Sequence, residues 1–198
     1  MSAFLYLHGF NSSPGSGKAR QTEAWLAATH PDVDFICPFL SPFPEVAMAQ
    51  AEAAMAGHQV VGILGSSMGG FFATFLAERY DCRAVLINPA VRPWEGRDHL
   101  LGDQANYHTG EVHRIEPCHL DQLRAYDVPV LSQAGRFLVL VQTGDEVLDY
   151  HQAVTKYAGA QMIVEDGGDH GFQGYERYLP DIYRFLTGAG HPALSNSG

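Results

Sequence analysis

Six short apolar runs recur along the chain, each closed by small or polar turn formers. They are Phe4-Leu5-Tyr6-Leu7, Val33 to Cys37, the run that opens at Val60, Ala84-Val85-Leu86-Ile87, Phe137-Leu138-Val139-Leu140-Val141 and Gln161 to Val164. Continuous rather than alternating hydrophobicity marks strands buried on both faces. Stretches with helical spacing lie between them. Lys18 to His30 carries Trp25 and Leu26 inward and stops at Pro31; Glu45 to Met55 is alanine-rich and ends at Gly57. Further helices are predicted over Met68 to Tyr80, Tyr150 to Tyr157 and Gly174 to Leu186. Strands alternating with helices predict an α/β fold, with about six parallel strands and helices on both faces. In such sheets the site lies beyond the carboxyl ends of the strands, near a topological switch point.

The alternation fails from Val91 to about Gln133, where Trp94, Leu100, Leu101, Tyr107 and Ile115 are mixed with charges and histidines. The segment is too long for an ordinary connection, so it reads as a functional insert (a lid after strand four) with a helix of its own around His119 to Ala125. No internal repeat or linker interrupts the chain, which is expected to form one domain over residues 1–198 with a frayed tail from about 188.

Composition narrows the function classes. The 198 residues are 46% hydrophobic and 17% charged, with a net charge of −10. That acidity argues against nucleic acid or an anionic membrane as partner. Cys37, Cys82 and Cys118 are odd in number and widely spaced, so free thiols in a reducing compartment are expected. Met1-Ser2-Ala3 leads into the first apolar run with no basic segment, so no signal peptide is expected, and no apolar run is long enough for a transmembrane helix. The expectation is a cytoplasmic protein without membrane insertion.

The candidate chemistry begins at Gly65-Ser66-Ser67-Met68-Gly69, a G-x-S-x-G pattern between a predicted strand and a predicted helix. The glycines let strand and helix approach closely, and the tight turn would push the Ser67 hydroxyl to the top of the sheet. A serine hydroxyl needs a base. Of ten histidines, only His170 follows a predicted strand in a loop of small residues, Asp166-Gly167-Gly168-Asp169-His170-Gly171. Asp145, directly after strand five, suits the carboxylate that orients such a base, although an aspartate there could also be a turn or cap residue. Glu146 and Asp149 lie further into the following turn, and Asp169 is too close in sequence to face His170. The order Ser67, Asp145, His170 is that of α/β-hydrolases. The oxyanion donors would be the backbone N–H groups of Met68, after the nucleophile, and Phe10, after the first strand. His8 reads as a loop-shaping residue.

Other readings fit less well. Ser12 to Ala19 resembles the end of a phosphate-binding loop around Lys18, but Ser12 and Ala19 stand where glycine and a hydroxyl residue are needed. His108, His113, Cys118 and His119 match no standard zinc spacing, so no metal and no cofactor are expected.

Tyr6-Leu7-His8-Gly9-Phe10-Asn11-Ser12-Ser13-Pro14, Gly65-Ser66-Ser67-Met68-Gly69-Gly70, Asn88-Pro89-Ala90-Val91-Arg92-Pro93, the stretch from Gln142 to Tyr150 and Gly168-Asp169-His170 together resemble the YqiA/YcfP family of small bacterial α/β-hydrolases. The resemblance runs from about Ala3 to Leu186. It implies an α/β-hydrolase fold and cytoplasmic esterase activity on acyl esters or acyl thioesters, without a metal. Its elbow serine, Thr-Gly-Asp aspartate and final-turn histidine correspond to Ser67, Asp145 and His170.

The function expected is thus a serine esterase acting on a small-molecule acyl ester through an acyl-enzyme. An acyl-CoA thioesterase would use the same groups and need a basic groove, for which Arg92, Arg97 and Arg114 are the candidates. A non-catalytic, hydrolase-like binding module is the alternative outside enzymes. Trp94, Leu100 and Leu101 either line an acyl pocket or pack the insert onto the sheet.

Overall fold

The computed structural model describes residues 2–96 and 100–188. The tail expected to fray falls outside the described residues beyond Gly188, as does Arg97. Six parallel strands form one sheet: β1 (Ser2–Leu7), β2 (Val33–Ile36), β3 (Gln59–Ser66), β4 (Arg83–Ile87), β7 (Phe137–Gln142) and β8 (Gln161–Glu165). Their order is β2-β1-β3-β4-β7-β8. The chain turns one way from β1 to β2 and the other way from β3 onward, so β1 and β3 flank the switch point.

Alternate side chains of each strand serve opposite faces. Leu5, Leu7, Ile63, Leu86, Val139 and Val141 face a core completed by α2 (Pro44–Met55), α3 (Met68–Tyr80) and α5 (Tyr150–Lys156). Phe4, Tyr6, Leu64, Val85, Ile87, Leu138 and Leu140 face the other core, completed by α1 (Gly17–Thr29) and α6 (Leu179–Thr187). This two-sided burial is why the strands read as continuous apolar runs. Leu26 is buried on α1 as expected, while Trp25 is half-buried at the edge of that core.

Two expectations need correction. The last helix is not continuous over Gly174 to Leu186: residues Tyr175–Tyr178 form a 3₁₀ turn, and α6 begins at Leu179. Pro180 sits in the first turn of α6, where its missing N–H costs nothing; inside a longer helix it would remove a hydrogen bond and clash with the preceding turn. The insert also contains a β-hairpin that its sequence does not announce. β5 (Gly102–Ala105) and β6 (Val112–Ile115) pair antiparallel, Gly102 opposite Ile115. Each strand is four residues long and alternates exposed with partly buried positions, and the latter include the polar Gln104 and His113, so it has no apolar period to read. The helix expected near His119 is α4 (Pro117–Arg124), which starts earlier because Glu116 and His119 form a capping box ahead of Pro117. Among the described residues no helix is long and apolar enough to cross a membrane.

Candidate active site

The turn between β3 and α3 places Ser67 in a strained conformation, with φ 56° and ψ −122°. Positive φ is uncommon for a residue with a Cβ, and here the surroundings enforce it. The Ser67 N–H donates to Ile87 O at 3.1 Å, and its carbonyl accepts from Gly70 N and Ala90 N. The flanking glycines are obligatory. A Cβ on Gly65 would stand 2.3 Å from Gly69 O, and one on Gly69 would stand 2.0 Å from Leu7 O. Strand, turn and helix thus close on one another only because both positions lack a side chain.

His170 Nε2 lies 3.0 Å from Ser67 Oγ. On the other side of the ring, Nδ1 is 2.8 Å from Asp145 Oδ2 and 3.0 Å from Oδ1. A carboxylate accepts, so Nδ1 carries the proton and Nε2 presents its lone pair to the serine hydroxyl. The Asp145 side chain is only 2% exposed, and His170 is 23% exposed towards the chamber. Burial pushes the Asp145 carboxyl up. Hydrogen bonds from His170 and from the N–H groups of Leu148 and Val147 outweigh it and hold the group below the ordinary carboxylate range.

The loop that carries His170 is held by residues to which the sequence reading gave no such role. Gln142, at the end of β7, is buried and accepts from Asp169 N (3.2 Å) and Gln173 N (2.8 Å). It donates to Glu165 Oε2 (2.8 Å) and Gln173 O (2.9 Å). Asn88, at the end of β4, donates to the carbonyls of Asp169 and His170 and accepts from Gln142 N. Glu146 accepts from the His170 N–H at 3.0 Å, so it supports the base although it lies beyond reach of the ring. Asp149 instead caps α5, and Asp169 pairs with Gln173 Nε2. Polar side chains ending otherwise apolar strands were the signal available for Gln142 and Asn88.

Gly9 packs the loop after β1 directly onto the nucleophile; a Cβ there would stand 3.3 Å from Ser67 Cβ. The backbone of Phe10 follows, and Phe10 and Met68 line the same cavity as Ser67 and His170. Neither N–H donates to another group among the described residues. His8 shapes this loop as expected. It is 2% exposed, its Nε2 accepts from Leu40 N at 2.9 Å, and its Nδ1 faces Gly9 O at 2.9 Å. Burial lowers its pKa, which suits a neutral ring that accepts on one side and donates on the other.

Two spaces adjoin along Gly9, Phe10, Met68 and Leu100, and Ser67 lines the larger one. A cavity of about 360 Å³ contains Ser67 and His170, with Lys18, Ser12, Ser16, Gln104 and Tyr107 among its lining residues. A tight apolar recess of about 30 Å³ extends past Phe10 and Met68 to Leu40, Phe72, Ile115 and Leu120. Leu100 borders both, so it lines the site, whereas Trp94 packs edge-on against Phe71 on the core side. Burial pushes the Lys18 ammonium down to about 8, opposed by the nearby Asp169 and Asp145 carboxylates. Of the arginines nominated for a basic groove, the two described are each paired with a carboxylate, Arg92 with Glu95 and Arg114 with Asp103 on the β5–β6 hairpin, and Arg97 lies outside the described residues. His119 closes its capping box and His113 faces Glu111. Among the described residues no three His, Cys, Asp or Glu side chains are arranged to hold a metal ion.

The model of an uncharacterised protein family, UPF0227, matches residues 3–187. Among solved structures, alpha/beta hydrolase domain-containing protein 10 from mouse is 13% identical, with a TM-score of 0.74 over 95% of this chain and 90% of that one. An inferred hydrolase from Agrobacterium vitis S4 is 18% identical, with a TM-score of 0.72 over 93% and 87%. Est1E from Butyrivibrio proteoclasticus is 14% identical, with a TM-score of 0.67 over 94% and 87%. At these identities the likeness establishes the α/β-hydrolase fold.

Proposed function

From the premise that this chain belongs to UPF0227, a family of the YqiA/YcfP type, we propose that it is a serine esterase whose catalytic residues are Ser67, His170 and Asp145. The observation that carries the reading is the unbroken path from Ser67 Oγ through His170 to a buried carboxylate, opening into a cavity large enough for a small substrate. His170 Nε2 takes the Ser67 proton as Oγ attacks the ester carbonyl carbon. The N–H groups of Phe10 and Met68 hold the oxyanion, and Asp145 stabilises the imidazolium. As the tetrahedral intermediate collapses, Nε2 returns its proton to the departing alcohol and Ser67 keeps the acyl group. Water then repeats the sequence on the acyl-enzyme and frees the acid.

Ser67 and His170 both line the larger cavity, and the apolar recess opens past the oxyanion donors Phe10 and Met68; we place the alcohol portion in the polar cavity and the acyl group in the apolar recess. The recess is narrow and apolar, so short acyl chains are preferred. The test is hydrolysis of p-nitrophenyl esters of increasing acyl length by the wild type and by Ser67→Ala. Turnover greatest on the shortest chains and abolished by the substitution is expected. Unchanged turnover in Ser67→Ala, or none by the folded wild type on any ester, overturns the proposal.

A further inference from the structure

The leaving-group cavity is polar on one wall, and that wall is the first turn of α1. Ser16, Lys18 and, just before them, Ser12 all line it. Among the described residues lining the cavity, Lys18 is the only lysine or arginine, in a chain of net charge −10. It stands in the first turn of a 13-residue helix that has no acidic residue there. A cation at a helix N-terminus adds to the positive end of the helix dipole, an unfavourable placement that an anion would relieve. The usual internal relief is missing as well. Ser16 occupies the N-cap position without a side-chain capping bond, and its buried Oγ has no partner among the described residues. The first-turn N–H groups therefore keep their capacity to donate to a ligand.

Lys18 Nζ donates to Gly171 O at 2.7 Å, and the described residues provide it no ion pair. An ammonium has three donors, so two remain for a ligand. The nearby carboxylates are engaged elsewhere, Asp145 with His170 and Asp169 with Gln173. One cation, one helix terminus and neighbouring hydroxyls match a single negative charge; the guanidinium forks common in phosphate sites are missing from this wall.

We propose that Lys18 and the first turn of α1 form a carboxylate-binding subsite in the leaving-group cavity, so that the preferred substrate is an ester whose alcohol portion carries a carboxylate. The assignment rests on the esterase reading for which substrate part it contacts, but not for the subsite itself.

The experiment compares p-acetoxybenzoate with its neutral methyl ester as substrates for the wild type, Lys18→Met and Lys18→Arg. Intrinsic reactivities cancel when the kcat/KM ratio of the two is compared between proteins. The ratio is expected to fall by about tenfold in Lys18→Met and to recover in part in Lys18→Arg, as for loss of one charge-assisted hydrogen bond. An equal fall on both substrates overturns the subsite and leaves Lys18 as a pin for the turn at Gly171. Calorimetric binding of p-hydroxybenzoate is measured alongside, with about tenfold weaker binding expected in Lys18→Met. If the folded wild type hydrolyses neither ester, the esterase reading fails. The subsite then stands if p-hydroxybenzoate binds in a Lys18-dependent way, and falls if it does not. Tighter binding of p-hydroxyphenyl phosphate than of p-hydroxybenzoate overturns the choice of carboxylate.

Discussion

The turn that carries His170 and the insert that roofs the chamber face the same cavity but are built differently. The turn is fixed from below by buried amides whose bonds are all internal: Gln142 makes four hydrogen bonds to it and its flanks, and Asn88 holds two of its carbonyls. The roof is a short hairpin whose strands alternate exposed with partly buried positions. It reaches the loop after β1 through Tyr107 N to Asn11 O and through Asn106 Nδ2 to Ser12 O. The contrast teaches where each property resides. On the proposed mechanism, proton transfer rests on the rigid side and substrate fit on the lightly fastened one.

The largest effect should come from the rigid side. Replacing Asp145 by Asn keeps the size but puts an amide N–H where His170 needs an acceptor, favouring the wrong tautomer. A loss in kcat of about 10⁴-fold is expected, with KM nearly unchanged. A kcat within tenfold of the wild type would remove Asp145 from the proposed mechanism. The substitution also has a signature in stability. The Asp145 carboxyl titrates below its unfolded value, so its contribution is complete above the ordinary carboxylate range and disappears as pH falls through the folded value. The stability difference between wild type and Asp145→Asn should therefore narrow on acidification below about pH 4. Denaturant titrations at several pH values would reveal a constant gap if the linkage is wrong.

Gln142→Ala probes the same side one layer down. It removes four partly buried hydrogen bonds, those from the N–H groups of Asp169 and Gln173 among them, at a cost of about 0.5–1.5 kcal/mol for each bond. A stability loss of about 2–4 kcal/mol is expected. The turn that carries His170 should loosen, so kcat should fall more than KM rises. If hydrogen exchange at residues 169–173 were unaltered, the buried amide would not be what holds the base.

The same contrast explains what could be read from the sequence. The elements that bury a face on the sheet were legible because burial leaves an apolar signature: β4 was expected at Ala84 to Ile87 and spans Arg83–Ile87, and α3 begins and ends at the residues expected. The juxtaposition of Ser67, Asp145 and His170 was legible because strand ends in a parallel sheet converge. Gln142 escaped because its role is set by four partners that the chain brings together only on folding. The β5–β6 hairpin escaped because its inward positions Gln104 and His113 are polar, so the alternation of burial along its strands left no apolar trace. Pro180 marked a helix start that the surrounding apolar spacing concealed.

The smallest effect, and the one that best separates the two sides, is expected from Asn106→Ala. Asn106 is buried at the hairpin turn. Its Nδ2 donates to Ser12 O at 2.9 Å, and its Oδ1 accepts from His108 N and Thr109 N. Removing the amide cuts the side-chain link between roof and chamber wall and frees the turn beside Tyr107, which lines the larger cavity. The orphaned backbone groups lie near the surface and can turn to water, so the stability cost should be about 1 kcal/mol, below that of Gln142→Ala. The distance from His170 to Ser67 does not depend on the hairpin, so kcat on a small ester should stay within about threefold while KM for bulkier alcohol portions shifts. A large fall in kcat with KM constant would mean that the roof sets the reacting geometry, and that the division between a rigid catalytic side and an adaptable binding side is wrong.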